Sequence, residues 1–199
     1  MKMTAVEKHF VNKPSHTRVV ADRALQLLNH VSPQPGWRYL DVGCGVGSAA
    51  MEIAGTSGLR VTGIDVDPKQ IEEAKRKGML QNLQFRVMDA TALQFADGEF
   101  DVVATSMVTH HIPNWERAFS EMVRVLRNGG YLIYSDHVFP SWLAKATRRL
   151  MRFMPSPIRA LIGFPSASAL EPLATKAGLR RVYADGRSGH VTAIWVKNA

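Results

Sequence analysis

The stretch Tyr39-Leu40-Asp41-Val42-Gly43-Cys44-Gly45-Val46-Gly47 sets three glycines at alternate positions directly after an apolar run. Glycine lets a backbone turn sharply and approach a ligand closely. A dinucleotide fingerprint needs G-x-G-x-x-G, and here position 48 is Ser. A phosphate loop of the G-x-x-x-x-G-K-[ST] type is also absent. Asp41 stands two residues ahead of the first glycine. A carboxylate there suits a pyrophosphate poorly and suits a ligand with a positive amino group and no phosphate. Eighteen residues past Gly47 comes Asp65, in VTGIDVDP, where an acid can accept both hydroxyls of a ribose. Asp67 is expected to cap the helix that opens at Pro68. Asp89, in VMDAT, is placed to accept the exocyclic amine of adenine. The plain alternatives are a strand–helix turn without a ligand for the glycines and a simple turn acid for Asp89.

A second kind of chemistry is offered by the adjacent pair His110-His111, a source of a general base or of an acceptor-positioning group. The bland reading of such a pair is hydrogen bonding to backbone. No metal is expected, because adjacent histidines point different ways and no third ligand has suitable spacing. Cys44 is the single cysteine, so it forms no internal disulfide and no cysteine zinc site.

These residues need elements to position them. Arg38–Val42, Arg60–Ile64, Leu83–Val87, Phe100–Thr105 and Tyr131–Ser135 read as strands. Thr17–Val31, Ser48–Ala54, Pro68–Met79 and Pro113–Leu126 read as helices, from their apolar spacing, an opening proline and closing glycines. Such alternation predicts an α/β fold, a Rossmann-like doubly wound sheet with ligands at the carboxyl ends of the strands. Asp41, Asp65, Asp89 and Ser106 fall there, at four different strand ends. Toward the end of the chain, Ser166–Ala177 reads as a helix. Arg180–Ala184 and Val191–Lys197 read as an antiparallel pair closing a mostly parallel sheet.

The 199 residues are 46% hydrophobic and 21% charged, the profile of one globular domain. With one cysteine and no long apolar run, they exclude a disulfide scaffold, a collagen, a coiled coil and a transmembrane helix. No secretory leader is visible, so a cytoplasmic protein is expected. Charge is uneven: residues 1–38 carry +4, residues 39–140 carry −4 and residues 141–199 carry +8.

The ordered series DVGCGVG, IDVDP, MDAT, FDVVATSMVTHHI and LRNGGYLIYSD resembles the class I S-adenosylmethionine-dependent methyltransferases, in particular the small-molecule group that includes quinone-biosynthesis enzymes. The resemblance covers residues 38–136 and the closing helix and strand pair. It implies S-adenosyl-L-methionine as cofactor. Asp41 and the loop Gly43, Cys44, Gly45 and Gly47 would hold its methionine part. Asp65 would hold the ribose with Val66 near the adenine, and Asp89 and Ala90 would bind the adenine edge. Ser106 and Met107 would line the pocket near the sulfonium. The implied partner is a small, apolar acceptor such as a quinone precursor, a lipid or a secondary metabolite.

A single domain over 1–199 is expected: an N-terminal helical cap to residue 37, the cofactor core 38–136, a lid insertion 137–165, and a closing helix and hairpin 166–199. Within the insertion, Trp142–Met154 places Lys145, Arg148, Arg149 and Arg152 on one helical face. Such a segment serves either as a lid with its basic side in water or as a peripheral contact with an anionic membrane. Two other functions stay open. A nucleic-acid methyltransferase would suit the pI of 9.9, but an N-P-P-[YF] motif and any RNA-binding module are missing. A cofactor-binding protein without transfer activity is the third. The oligomeric state is not legible.

Overall fold

A computed structural model of the protein describes residues 14–78, 80–138, 165–187 and 189–199. Seven strands build one sheet: β1 (Arg38–Val42), β2 (Arg60–Asp65), β3 (Leu83–Val87), β4 (Phe100–Ser106), β5 (Leu126–His137), β6 (Leu179–Arg187) and β7 (His190–Lys197). Their spatial order is β3-β2-β1-β4-β5-β7-β6. The first five are mutually parallel, and β7 runs antiparallel between β5 and β6. The α/β, Rossmann-like sheet with a C-terminal antiparallel pair is therefore as expected. The chain winds outward from β1 to β3, then returns to β4 beside β1. That reversal leaves a crevice at the carboxyl ends of β1 and β4, the usual ligand position in open α/β sheets.

Five helices cover the sheet among the described residues: α1 (Pro14–Asn29), α2 (Ser48–Thr56), α3 (Pro68–Lys77), α4 (Trp115–Val125) and α5 (Ala167–Lys176). Successive strand residues point to opposite faces, and two cores result. Leu40, Val42, Val103, Leu132 and Tyr134 face Trp115, Phe119 and Met122 of α4 and Leu170 of α5. Tyr39, Val61, Phe85, Val102, Ala104 and Ile133 face Leu27 and Leu28 of α1, Ile53 of α2 and Ile71 of α3. The central strands are apolar on both sides because both faces are covered.

Most boundaries shift by three residues or fewer, β6 running on to Arg187 through Gly186, and the largest difference is at the start of β5. The helix read over Pro113–Leu126 is α4, Trp115–Val125, and the chain passes from it straight into β5, which already begins at Leu126. The register of β5 on β4 jumps from Phe100↔Leu126 to Val102↔Tyr131. Gly129, at φ +71°, lies inside this irregular stretch rather than in a loop after the helix. Arg127 Nε donates to Asp101 Oδ1 at 2.5 Å and ties the bulge to β4. The basic stretch Trp142–Met154 and most of the insertion 137–165 lie outside the described residues, as do residues 1–13. No helix of the described residues is long and apolar enough to cross a membrane.

Candidate active site

A cavity of about 520 Å³ opens at the β1/β4 crevice. It gathers every residue that the sequence singled out for chemistry except Gly47: Asp41, Gly43, Cys44, Gly45, Asp65, Val66, Asp89, Ala90, Ser106, Met107, His110 and His111 all line it. Val20, Ala24 and Leu27 of α1, together with Ile112 and Pro113, add an apolar wall.

The three glycines share a left-handed backbone for different reasons. A Cβ on Gly43 (φ +79°) would lie 2.6 Å from Val108 Cγ1, so this glycine lets the chain after β4 pack against the loop. On Gly47 (φ +77°) it would lie 2.5 Å from Phe85 Cζ and 3.0 Å from Ala74 Cβ, inside the core beneath α3. On Gly45 (φ +53°) it would meet nothing within 4 Å, because that residue borders the cavity itself. The N–H groups of Gly43 and Cys44 both donate to Ile64 O, at 2.8 and 2.9 Å, which seats the loop on the end of β2.

Asp65, the last residue of β2, is clamped by backbone. Its Oδ2 accepts from Gly45 N at 3.1 Å and its Oδ1 from Asp67 N at 2.8 Å. Asp67 caps α3 as expected, accepting from Lys69 N at 3.0 Å. Beside Asp65, Val66 leaves 36% of its surface exposed, an apolar side chain at the cavity edge. Asp89 accepts from Thr91 N and Thr91 Oγ1, both at 2.8 Å onto Oδ1, so it also stabilises its own turn. Met107 holds φ +57°, a region uncommon for residues other than glycine, with its N–H on Ser135 O at 2.8 Å.

Asp41 is different. It is 7% exposed, and its Oδ2 is buried with no hydrogen-bond partner. Burial, reinforced by the nearby Asp65 charge, pushes its pKa up to about 7. A buried acceptor without a donor is costly, and here it borders an open cavity. The arrangement fits a ligand that brings its own cation, as the amino group of S-adenosyl-L-methionine does. Cys44 offers no nucleophile: burial and the charges of Asp41 and Asp65 raise its thiol pKa well above the ordinary value.

At the other end, a 3₁₀ turn over Thr109–His111 carries both histidines. His110 Nδ1 lies 2.5 Å from Asp136 Oδ1. Asp136 is fully buried, and its Oδ2 accepts from Val108 N at 3.1 Å, Thr109 N at 2.6 Å and Thr109 Oγ1 at 2.5 Å. Thr109 Oγ1 is also 2.5 Å from Tyr134 Oη. Burial pushes the Asp136 carboxyl upward, but the hydrogen bonds from His110 and Thr109, and the charge of His110 when it is protonated, outweigh it and hold the group below its usual range. The sequence reading ended β5 at Ser135 and assigned Asp136 no role. Its signal was the alternation in YLIYSD, which puts Asp136 on the same buried face as Leu132 and Tyr134. No cluster of metal-ligating side chains occurs among the described residues.

The strand order, the glycine loop and the carboxylates at successive strand ends are arranged as in the class I S-adenosylmethionine-dependent methyltransferase fold. Residues 40–134, just under half of the chain, match the methyltransferase domain family. It is similar to sterol 24-C-methyltransferase of Gibberella zeae, 35% identical over 125 residues, which are 61% of this chain and 33% of that enzyme. It is also similar to the ubiquinone/menaquinone biosynthesis C-methyltransferase UbiE of Brucella canis, 28% identical over 186 residues, covering 82% of this chain and 69% of that one. The chain thus spans about a third of the sterol enzyme's length and over two thirds of UbiE's. Among solved structures, geranyl diphosphate methyltransferase in complex with its cofactor superposes with a TM-score of 0.73 at 15% identity, over 94% of this chain and 92% of that one, which supports the fold.

Proposed function

We propose that the protein transfers a methyl group from S-adenosyl-L-methionine to a small, largely apolar acceptor. The observation that carries this reading is the cavity's polarity. Asp41, Asp65 and Asp89, with the buried Asp41 Oδ2 lacking any donor, share the cavity with an apolar wall of Val20, Ala24, Leu27 and Ile112. Both curated relatives named above are C-methyltransferases of apolar molecules by name, in keeping with that wall.

When bound, the cofactor supplies a methyl group on a positively charged sulfur, already a strong electrophile. The chain's own task is then binding, alignment and exclusion of water. In this reading Asp41 pairs with the cofactor's amino group, and the backbone of Gly43, Cys44, Gly45 and Gly47 follows its methionine part. Asp65 accepts from the ribose, Val66 covers a face of the adenine, and Asp89 and Ala90 meet its edge. Ser106 and Met107 border the reacting end, and His110 and His111 face the acceptor. The basic segment 142–154 would seat the protein on anionic headgroups if the acceptor is drawn from a bilayer. Co-sedimentation with anionic vesicles at low and high salt tests that part.

The reading as a whole is tested by calorimetric titration with S-adenosylhomocysteine, followed by a transfer assay with methyl-labelled cofactor against quinol, sterol and prenyl acceptors. Binding with label appearing in an apolar product is expected. Absence of binding by the folded protein would overturn it.

A further inference from the structure

We infer that His110 is the general base of this site, that Asp136 is its positioning residue, and that the acceptor therefore carries an ionisable hydroxyl. The inference rests on the methyl-transfer reading and adds to it the chemical class of the acceptor.

A carboxylate only accepts hydrogen bonds. The 2.5 Å contact between His110 Nδ1 and Asp136 Oδ1 therefore puts the ring proton of neutral His110 on Nδ1. Nε2 is left as the acceptor nitrogen of a ring that lines the cavity. Asp136 is itself hydrogen-bonded through both oxygens. It is fully buried, Oδ2 collects the N–H groups of Val108 and Thr109, and Oδ1 also accepts from His137 N at 2.7 Å. Thr109 Oγ1, between Asp136 and Tyr134, locks the same turn to β5. The side chain of His110 keeps 17% of its surface exposed, so the ring is held by its protein-facing nitrogen and is not sealed off. Asp136 thus holds the turn through Oδ2 and the His110 ring through Oδ1 at the cavity wall, so the same buried charge that braces the backbone also orients the ring.

A base is needed only where the nucleophile must lose a proton. The acceptor hydroxyl gives its proton to His110 Nε2, and the Asp136 charge lies beside the positive ring so formed. The oxygen's electron pair then bonds to the methyl carbon, or is relayed through a conjugated ring to a carbon that does so. The carbon–sulfur bond breaks and its pair stays on sulfur. In the relayed case the ring carbon later releases its own hydrogen as a proton, and the hydroxyl recovers one from His110. In the direct case His110 releases its proton to water. Phenols and enols meet this requirement, whereas isolated alkenes have no hydroxyl to ionise.

The test uses the full chain, labelled cofactor and a graded series of apolar phenols, from weakly acidic 4-alkylphenols to nitrophenols already ionised at the assay pH. His110→Ala should lose about 10²–10⁴-fold in kcat on the weakly acidic phenols, with unchanged affinity for S-adenosylhomocysteine, and stay within a few-fold of wild type on the ionised ones. Asp136→Asn should lose about 10²-fold or more on the weakly acidic phenols only. The double variant should be no slower than His110→Ala, because residues acting as one unit are not additive. Equal losses on ionised and un-ionised phenols, or additive losses in the double variant, would overturn the inference and leave a structural pair. Turnover by wild type of amines or alkenes but of no phenol or enol would also overturn it, with methyl transfer intact. If Asp136→Asn fails to fold, His110→Ala and His110→Gln against the graded series decide alone. Failure of wild type to bind S-adenosylhomocysteine would instead remove the methyl-transfer reading beneath.

Discussion

The two ends of the cavity are built in opposite ways. At the carboxylate end, Asp65, Asp89 and the glycine loop, though not Asp41, are held by backbone next to them in sequence or at the adjoining strand end. Asp65 takes N–H groups from Gly45 and Asp67, Asp89 takes that of Thr91, and the glycine loop leans on Ile64 O. At the histidine end, side chains meet across 25 or more residues: Tyr134 with Thr109, Asp136 with His110, and Ser135 Oγ with His190 Nε2 at 3.0 Å. The first end therefore rests on local backbone geometry, and the second on buried and partly buried side chains brought together from distant parts of the chain.

The largest expected effect tests how rigid the first end is. Gly47→Val puts a branched side chain where even a Cβ would lie 2.5 Å from Phe85, in a left-handed conformation. Left-handed strain of about 1–2 kcal/mol and overpacking of about 1–3 kcal/mol should together remove roughly 2–5 kcal/mol of stability, measured by urea denaturation. Gly45→Ala has the same sign of φ but open space, so only the strain should appear in stability while affinity for S-adenosylhomocysteine falls. Equal stability losses in the two variants would erase the distinction between a packing glycine and a ligand-facing one.

Next comes Asp41, where binding and stability should move in opposite directions. Asp41→Asn removes the counter-charge for the cofactor's amino group and should cost about 1.5–3 kcal/mol of affinity, roughly 10–150-fold. Its folded pKa of about 7 stands above the ordinary 3.8. The folded chain thus holds this proton more tightly than the unfolded one, and the stability of the ligand-free protein should fall as pH rises from about 4 to about 7. That loss should vanish in Asp41→Asn, which should be the more stable protein at pH 8. Because the ligand's cation favours the carboxylate, S-adenosylhomocysteine affinity of wild type should rise with pH up to about 7, with proton release on binding at pH 6. Calorimetry in buffers of different ionisation enthalpy measures it. A flat pH dependence of both quantities would mean that Asp41 does not face the ligand's charge.

A smaller effect is expected at Asp65. Asp65→Asn turns one acceptor oxygen into a donor facing either Gly45 N–H or Asp67 N–H. One backbone donor then loses its partner, at about 1–3 kcal/mol. Loop and ligand share that loss, so affinity should drop about tenfold while the melting temperature falls by a few degrees. A melting loss without an affinity loss would make Asp65 a brace for the loop rather than a ligand.

Legibility followed the same division. The strand ends carrying Asp41, Asp65 and Asp89 could be read because each motif is contiguous: an apolar run, a turn residue and an acid. Strands β1 to β4 matched to within one residue, because each is a short run carrying apolar residues and bounded by turn residues. The start of β5 was not legible. Arg127-Asn128-Gly129-Gly130 has the composition of a loop, and only the pairing of Leu126 with Phe100 and the Arg127–Asp101 ion pair make it part of the strand. Asp136 was missed for a related reason. Its partner His110 lies 26 residues earlier, and nothing in either local stretch names the other.

The smallest effect probes whether the carboxylate end is polar throughout. Val66 leaves 36% of its surface exposed beside a clamped Asp65, while Ile64, two residues earlier on β2, is 1% exposed. An apolar side chain in that position gains nothing for the ligand-free fold, but a flat aromatic base laid over it would remove it from water. Val66→Ser takes away apolar surface worth about 1 kcal/mol, at roughly 0.8 kcal/mol per buried methylene equivalent, so S-adenosylhomocysteine affinity should weaken about fivefold. Stability should hardly change, because exposed side chains away from the core contribute within about 0.5 kcal/mol. Adenosine, which keeps the base and ribose but lacks the methionine part, should lose the same factor. Methionine alone should bind both proteins equally. Equal adenosine affinity in wild type and Val66→Ser would place the base elsewhere along the cavity. The local, backbone-held end would then serve ribose and amino acid only, and the apolar wall near α1 would have to be shared between base and acceptor.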